Sequence, residues 1–92
     1  MTRGQRILTG SAAVIALTAG SVSAQELTKL NKAIENYTRV LAITGGKAPA
    51  DWQYYYMRGI AYERSNQLPL AETDFKQALV LNPDQPSVLN YL

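Results

Sequence analysis

Residues 52–83 constrain the fold more than any other part of the sequence, because they contain two amphipathic helical patterns separated by a short polar segment. An α-helix has about 3.6 residues per turn, so side chains spaced three and four apart share one face. The shared face of the first pattern consists of Trp52, Tyr55, Gly59 and Tyr62, and that of the second consists of Ala71, Phe75, Ala78 and Leu79. Small residues beside large aromatic ones allow two helices to interdigitate at short range. The sequence therefore predicts a tight antiparallel helical hairpin.

Residues that begin and end helices stand at the boundaries of both patterns. Asp51 precedes the first pattern and is expected to cap its N-terminus. Between the patterns, Asn66 tolerates the left-handed conformation that ends a helix, and Pro69 fits the first turn of the next one. Pro83 ends the second pattern because it disfavours helical geometry at Asn82. These signals predict helices over residues 51–65 and 69–81.

The spacing of seven residues in this hairpin resembles that of a tetratricopeptide repeat, in which an aromatic residue, Leu-Gly, Tyr, Ala, Phe and Pro recur about every 34 residues. The matching positions are Tyr55, Gly59, Tyr62, Ala71, Phe75, Ala78 and Pro83. The resemblance implies an all-α fold of antiparallel helix-turn-helix repeats, forming a short α-solenoid segment with one complete repeat at residues 52–85. It also implies a non-catalytic module that binds a protein or a peptide.

The sequence on either side of this repeat contains parts of the same pattern. Apolar residues spaced three and four apart from Leu27 to Leu41 predict an amphipathic helix over residues 26–43. By resemblance, residues 25–43 are the second helix of a partial repeat, with Ala33 and Tyr37 at the small and aromatic positions. Gly45 and Gly46 predict a lengthened loop after this helix. Residues 86–92 are expected to be helical and to open a further, truncated repeat.

The first 24 residues have the order of regions that is typical of a secretory signal peptide. Arg3 and Arg6 come first, an apolar run from Ile7 to Ala19 follows, and small residues lead to a cleavage site after Ala24. An uncleaved membrane anchor and an ordinary buried helix are the alternatives, but the run is shorter than the about 20 apolar residues that span a bilayer. We therefore expect a periplasmic or secreted protein without stable membrane insertion after cleavage.

Charge and composition disfavour several classes of function. The formal net charge of +2 comes from Arg3 and Arg6, and without them seven basic residues match the seven acidic ones. A neutral chain gives no electrostatic attraction for nucleic acid. The sequence contains no His and no Cys, which are common catalytic bases, nucleophiles and metal ligands. We therefore expect no enzyme activity, no cofactor and no metal, and we interpret Glu63, Glu72 and Asp74 as helix-surface carboxylates.

Arg58 departs from the repeat pattern, which usually has Leu beside the Gly. In the helical register Arg58 lies next to the aromatic face, and Asp74 is the nearest carboxylate on the facing helix. We predict an ion pair between Arg58 and Asp74 that bridges the hairpin, with the stem of Arg58 packed on Tyr62. A solvated Arg58 is the alternative.

A second row of residues on the first helix is the candidate partner-binding surface. It consists of Gln53, Tyr56, Ile60, Glu63 and Arg64. By resemblance, first helices line the concave surface of the solenoid, so Tyr56 and Ile60 are expected to be apolar anchors for an extended peptide or a helix. In the competing interpretation, Tyr56 and Ile60 pack against the preceding helix around Tyr37.

Two further hypotheses concern the whole chain. The sequence also fits a fragment of a longer solenoid without a complete function of its own, because stacked repeats generally need three or more units for stability. Leu89, Tyr91 and Leu92 then form an exposed apolar end, through which the chain is expected to self-associate. The identity of the partner does not follow from the sequence.

Overall fold

A computed structural model describes residues 22–92, and within this range the chain is helical and has no strand. The helices are α1 (Ala24–Thr44), α2 (Trp52–Arg64), α3 (Leu68–Leu81) and α4 (Pro86–Leu89), and a 3-10 turn (Pro49–Asp51) leads directly into α2. Helix α2 packs most extensively against α3, while α1 packs on α2 and α4 on α3. The predicted all-α fold of antiparallel helical pairs is confirmed.

The predicted leader lies outside the described residues except for its last three, Val22 to Ala24. Helix α1 begins at Ala24, because the Ser23 hydroxyl oxygen accepts a hydrogen bond of 3.1 Å from the Glu26 N–H. It ends where Gly45 adopts a φ of 91° and donates its N–H to the Leu41 carbonyl. The helix is thus slightly longer than predicted at both ends. None of the helices in residues 22–92 is long and apolar enough to cross a membrane.

The turn between α2 and α3 follows the predicted chemistry. Asn66 has a φ of 64°, the left-handed conformation expected of it. The Asn66 N–H donates to the Glu63 carbonyl at 3.0 Å, and the Gln67 N–H donates to the Tyr62 carbonyl at 2.7 Å. This pair of bonds satisfies carbonyl groups that the end of a helix would otherwise leave without partners. Pro69 lies in the first turn of α3, so the two helices reverse direction within a few residues.

The core lies between α2, α3 and α4. Its buried apolar residues are Ala71, Phe75, Ala78 and Val88, and partly buried side chains from α2 and α3 pack around them. Gly59 permits the closest approach: a Cβ atom there would lie 2.6 Å from the Phe75 ring, so any larger residue would displace α3. The interdigitation of a glycine with an aromatic ring therefore fixes the separation of the two helices.

Asp51 stands at the N-cap position of α2, as predicted, but its side chain makes no capping hydrogen bond to that helix. Asp51 is helical, with φ −69° and ψ −11°, and the chain enters α2 through the preceding 3-10 turn. Its buried carboxylate accepts hydrogen bonds from the Ala48 N–H at 3.2 Å and from the Thr44 hydroxyl at 3.0 Å. The side chain therefore ties the loop to the end of α1. The sequence places Asp51 at the correct boundary but does not reveal the 3-10 turn.

The C-terminal helix is also shorter than predicted. Helix α4 ends at Leu89, and the chain continues in turns in which Tyr91 bonds to Val88 and Leu92 bonds to Leu89. These turns direct Tyr91 back toward the core, where its ring centroid lies 4.8 Å from that of Phe75. Residues 86–92 therefore cover one side of the hairpin.

Candidate partner-binding surface

Helix α2 presents different side chains to each of its neighbours. Gly59 and Tyr62 face α3, whereas Tyr54 faces α1, with its ring 6.5 Å from that of Tyr37. Tyr56 faces the turn at residues 90–92, called the C-terminal turn, where its ring lies 5.9 Å from that of Tyr91. Successive helical residues point about 100° apart, so three neighbouring elements leave only one side of α2 open to solvent.

Tyr56 and Ile60, the two expected apolar anchors, are only partly exposed. Tyr56 is partly buried, with its ring centroid 5.8 Å from Trp52 and 6.3 Å from Phe75, and Ile60 also packs against the core cluster. The competing interpretation, in which Tyr56 and Ile60 pack against the preceding helix around Tyr37, is right that both residues pack. The structure places them against the core cluster, and the α2 ring beside Tyr37 is that of Tyr54. Tyr56 is only partly exposed because the ring of Tyr91 covers it from the C-terminal side. Tyr56 is therefore mainly a packing residue.

The three polar members of the predicted row, Gln53, Glu63 and Arg64, are exposed. The predicted row does not include Met57, which is 42% exposed although it is apolar. Met57 follows Gln53 by four residues and precedes Arg64 by seven, so these three side chains share one face of α2. The helical spacing was the signal that would have identified Met57. The exposed face of α2 thus combines an apolar side chain with polar and charged ones.

Arg58 and Asp74 form the predicted bridge across the hairpin. The guanidinium donates from Nε and from Nη2 to the two carboxylate oxygens, both at 2.7 Å, and Nη1 donates to the Thr38 hydroxyl at 3.0 Å. It lies 5.7 and 5.8 Å from the ring centroids of Tyr55 and Tyr62. The hydrogen bonds that Arg58 donates to the Asp74 carboxylate raise the pKa of Arg58 above its ordinary value. Arg58 on α2 is thus bonded both to Asp74 on α3 and to Thr38 on α1. Because Asp74 is buried, the pair is not accessible to a ligand.

A cavity of about 210 Å³ lies where the start of α3 meets the C-terminal turn. Its lining residues are Glu63, Leu68, Ala71, Glu72, Phe75, Tyr91 and Leu92. The lining thus combines apolar and aromatic side chains with two carboxylates, which are its only charged side chains. Glu63 belongs both to this lining and to the predicted partner-binding row.

Two of the carboxylates in the described helices are paired with basic side chains. Asp74 is bonded to Arg58, and Glu72 lies 3.2 Å from the Lys76 ammonium group. Residues 22–92 contain no group of three or more potential metal ligands.

Comparison with protein families gives a match over the hairpin. Residues 52–85 match the family model of the tetratricopeptide repeat. This segment comprises α2, α3 and the connection to α4. No solved structure matches the chain.

Proposed function

We propose that this chain, which contains a tetratricopeptide repeat at residues 52–85, is a non-catalytic helical-repeat module that binds a protein or peptide partner outside the cytoplasm. The match to the repeat is the observation that carries the proposal, since such repeats generally serve protein interaction and not catalysis. The α2–α3 hairpin provides a rigid support, because Gly59 and the ion pair of Arg58 with Asp74 hold the two helices together.

The exposed face of α2 is the proposed contact surface. Gln53 and Arg64 offer hydrogen bonds, Glu63 and Arg64 offer opposite charges, and Met57 offers a flexible apolar contact. Tyr56 and Ile60 pack against the core behind this face and contribute only the parts of their side chains that remain accessible to solvent. An extended peptide or a partner helix could lie along such a mixed surface. The formal neutrality of residues 25–92 favours a protein partner over nucleic acid.

A crosslinking experiment tests this surface. A photoreactive amino acid is placed at Gln53 or Arg64 and, as the control, at Val80, which is 69% exposed and lies on α3. Partner crosslinks are expected from Gln53 and Arg64 and not from Val80. Equal yields from Val80 would place the partner elsewhere, and no crosslink from any position would contradict binding through this hairpin.

The location outside the cytoplasm rests on the order of basic, apolar and small residues in residues 1–24. Expression of the chain in its own host followed by N-terminal sequencing tests it. We expect a processed product that begins at Gln25 in the periplasm or the medium. An unprocessed chain that stays in the cytoplasm would contradict both the leader and the location.

The second candidate is that the chain is part of a longer solenoid, with self-association through its apolar end. The observation that favours it is the exposure of Leu89, Tyr91 and Leu92, which are 52%, 42% and 55% accessible. Adjoining repeats or a second copy could bury these side chains. Sedimentation of the 92-residue chain over a range of concentrations separates the cases: a monomer throughout contradicts self-association, and a concentration-dependent mass supports it.

A further inference from the structure

We propose that the cavity between α2, α3 and the C-terminal turn binds one arginine side chain of the protein or peptide partner. This inference rests on the proposed function and specifies the chemistry of the partner. At about 210 Å³ the cavity is smaller than the roughly 300–1,000 Å³ of pockets that hold whole small molecules. Its size therefore suits a single long side chain that enters from a neighbouring surface.

The walls of the cavity fit the apolar part of an arginine. Phe75 and Ala71 form buried surfaces of the lining, while Leu68, Tyr91 and Leu92 are about half exposed. The three methylene groups of an arginine would cover these exposed apolar side chains and remove them from water. The ring of Tyr91, which is 42% exposed, can also contact a planar guanidinium group, while the buried Phe75 ring packs behind it.

The charges around the cavity favour a cation. Glu63 and Glu72 are the charged residues of the lining, and neither is neutralised by a basic side chain within it. Glu63 makes no ion pair within the described part of the chain, whereas the partner of Glu72, Lys76, is an exposed residue one helical turn away. Exposed pairs of this kind are worth at most about 1 kcal/mol, so Glu72 can exchange Lys76 for another cation. An acidic side chain would be repelled from the same place.

The protein already holds one arginine by the same combination of groups. Arg58 lies between the rings of Tyr55 and Tyr62 and is bonded through two nitrogens to Asp74. Arginine suits aromatic and carboxylate surroundings better than lysine does, because its guanidinium is planar, weakly hydrated and able to donate to a carboxylate in parallel. The cavity offers aromatic rings and carboxylates at an accessible site, so we assign arginine and not lysine to it.

The test uses the isotope-labelled 92-residue chain and short peptides as probes. N-acetyl-Ala-Arg-Ala-amide is titrated while the backbone amide signals of Ala71, Glu72 and Tyr91 are followed by NMR. The matched probe replaces arginine by citrulline, which has the same shape and no charge. We expect saturable shifts with the arginine peptide, an affinity about fivefold weaker with lysine, and no saturation with citrulline. Equal affinities for arginine and citrulline would overturn the proposal.

Charge-neutral variants make the assignment specific. The double substitution E63Q and E72Q should weaken binding of the arginine peptide by about tenfold. The control E35Q removes an exposed carboxylate of α1 and should leave the affinity unchanged. If E35Q and the double variant lower the affinity equally, the effect is one of net charge and the cavity is not the site. The crosslinks from Gln53 and Arg64 are independent of the cavity, so their presence without arginine preference would refute this inference alone.

Discussion

Breaking the pair between Arg58 and Asp74 should destabilise the protein much more than breaking an ordinary surface ion pair. The two hydrogen bonds that join them are both 2.7 Å long, and the Asp74 side chain is 4% exposed while that of Arg58 is 17% exposed. Removing one member of a fully buried pair costs about 3–5 kcal/mol, because the other charge stays buried without a partner. The partial exposure of Arg58 reduces this cost, so we expect Asp74→Ala to lower the free energy of unfolding by about 2–4 kcal/mol.

A double-mutant cycle isolates the energy of the pair. The variants are Asp74→Ala, Arg58→Leu and the combination of both, and urea unfolding is followed by the fluorescence of Trp52, the single tryptophan of the chain. A stabilising osmolyte at constant concentration keeps the weaker variants folded. We expect a coupling energy of about 2 kcal/mol, with the double variant more stable than the sum of the single changes predicts. Leu at position 58 is also the residue usual in such repeats and should pack on Tyr62.

The pair of Glu72 and Lys76 is the matched control. It also contains one acidic and one basic residue, but its atoms are 3.2 Å apart and its side chains are 59% and 65% exposed. Its coupling energy should be below about 0.5 kcal/mol. Additive effects of the Arg58 and Asp74 substitutions within about 0.5 kcal/mol would refute the reasoning. Because Asp74 raises the pKa of Arg58, the stabilisation linked to Arg58 is fully present below arginine's ordinary pKa and is lost as the pH rises into strong alkali, so buffers near neutral pH should give one value.

Three further substitutions test other parts of the structure. Gly46→Ala should lower the free energy of unfolding by about 1–3 kcal/mol, measured by urea unfolding, because Gly46 has a φ of 70° and a Cβ there would meet the Tyr55 hydroxyl; an unchanged stability would contradict this loop geometry. Tyr56→Ala should cost about 2–3 kcal/mol in the same assay, whereas Gln53→Ala should leave stability within about 0.5 kcal/mol; equal effects would mean that Tyr56 does not pack in the core. Leu89→Lys should reduce the concentration dependence of the sedimentation coefficient, and a concentration dependence that persists unchanged would exclude the C-terminal end as the contact.

The features that the sequence predicted correctly depend on residues close together in one hairpin. Asn66 and Pro69 determine the turn locally. The turn then decides which residues of α2 lie opposite which residues of α3. Once this register is fixed, ordinary helical geometry places Arg58 opposite Asp74, although the residues are 16 positions apart. The ion pair could therefore be predicted from residue spacing alone.

The incorrect predictions depend on contacts that no local pattern contains. Asp51 was expected to cap the helix that follows it, but the partners of its carboxylate precede it. Thr44 ends α1, and Ala48 lies in a loop whose path depends on two glycines with positive φ values. Helical spacing indicates toward which side of α2 Tyr56 points, but it does not indicate which part of the chain packs on that side. The covering residue, Tyr91, lies in a turn that the sequence predicted as helix.

Tyr91 also connects the two surfaces proposed for partner binding. Its ring contacts Tyr56, which supports the exposed face of α2, and contacts Phe75, which forms the floor of the cavity. A repeat that ended at Pro83 would lack this cover, so Tyr56 would be exposed and the cavity would lose one wall. The two proposed binding surfaces therefore depend partly on residues that follow the repeat. Glu63, which lies on the exposed side of α2 and also lines the cavity, is the place where one partner could contact both surfaces at once.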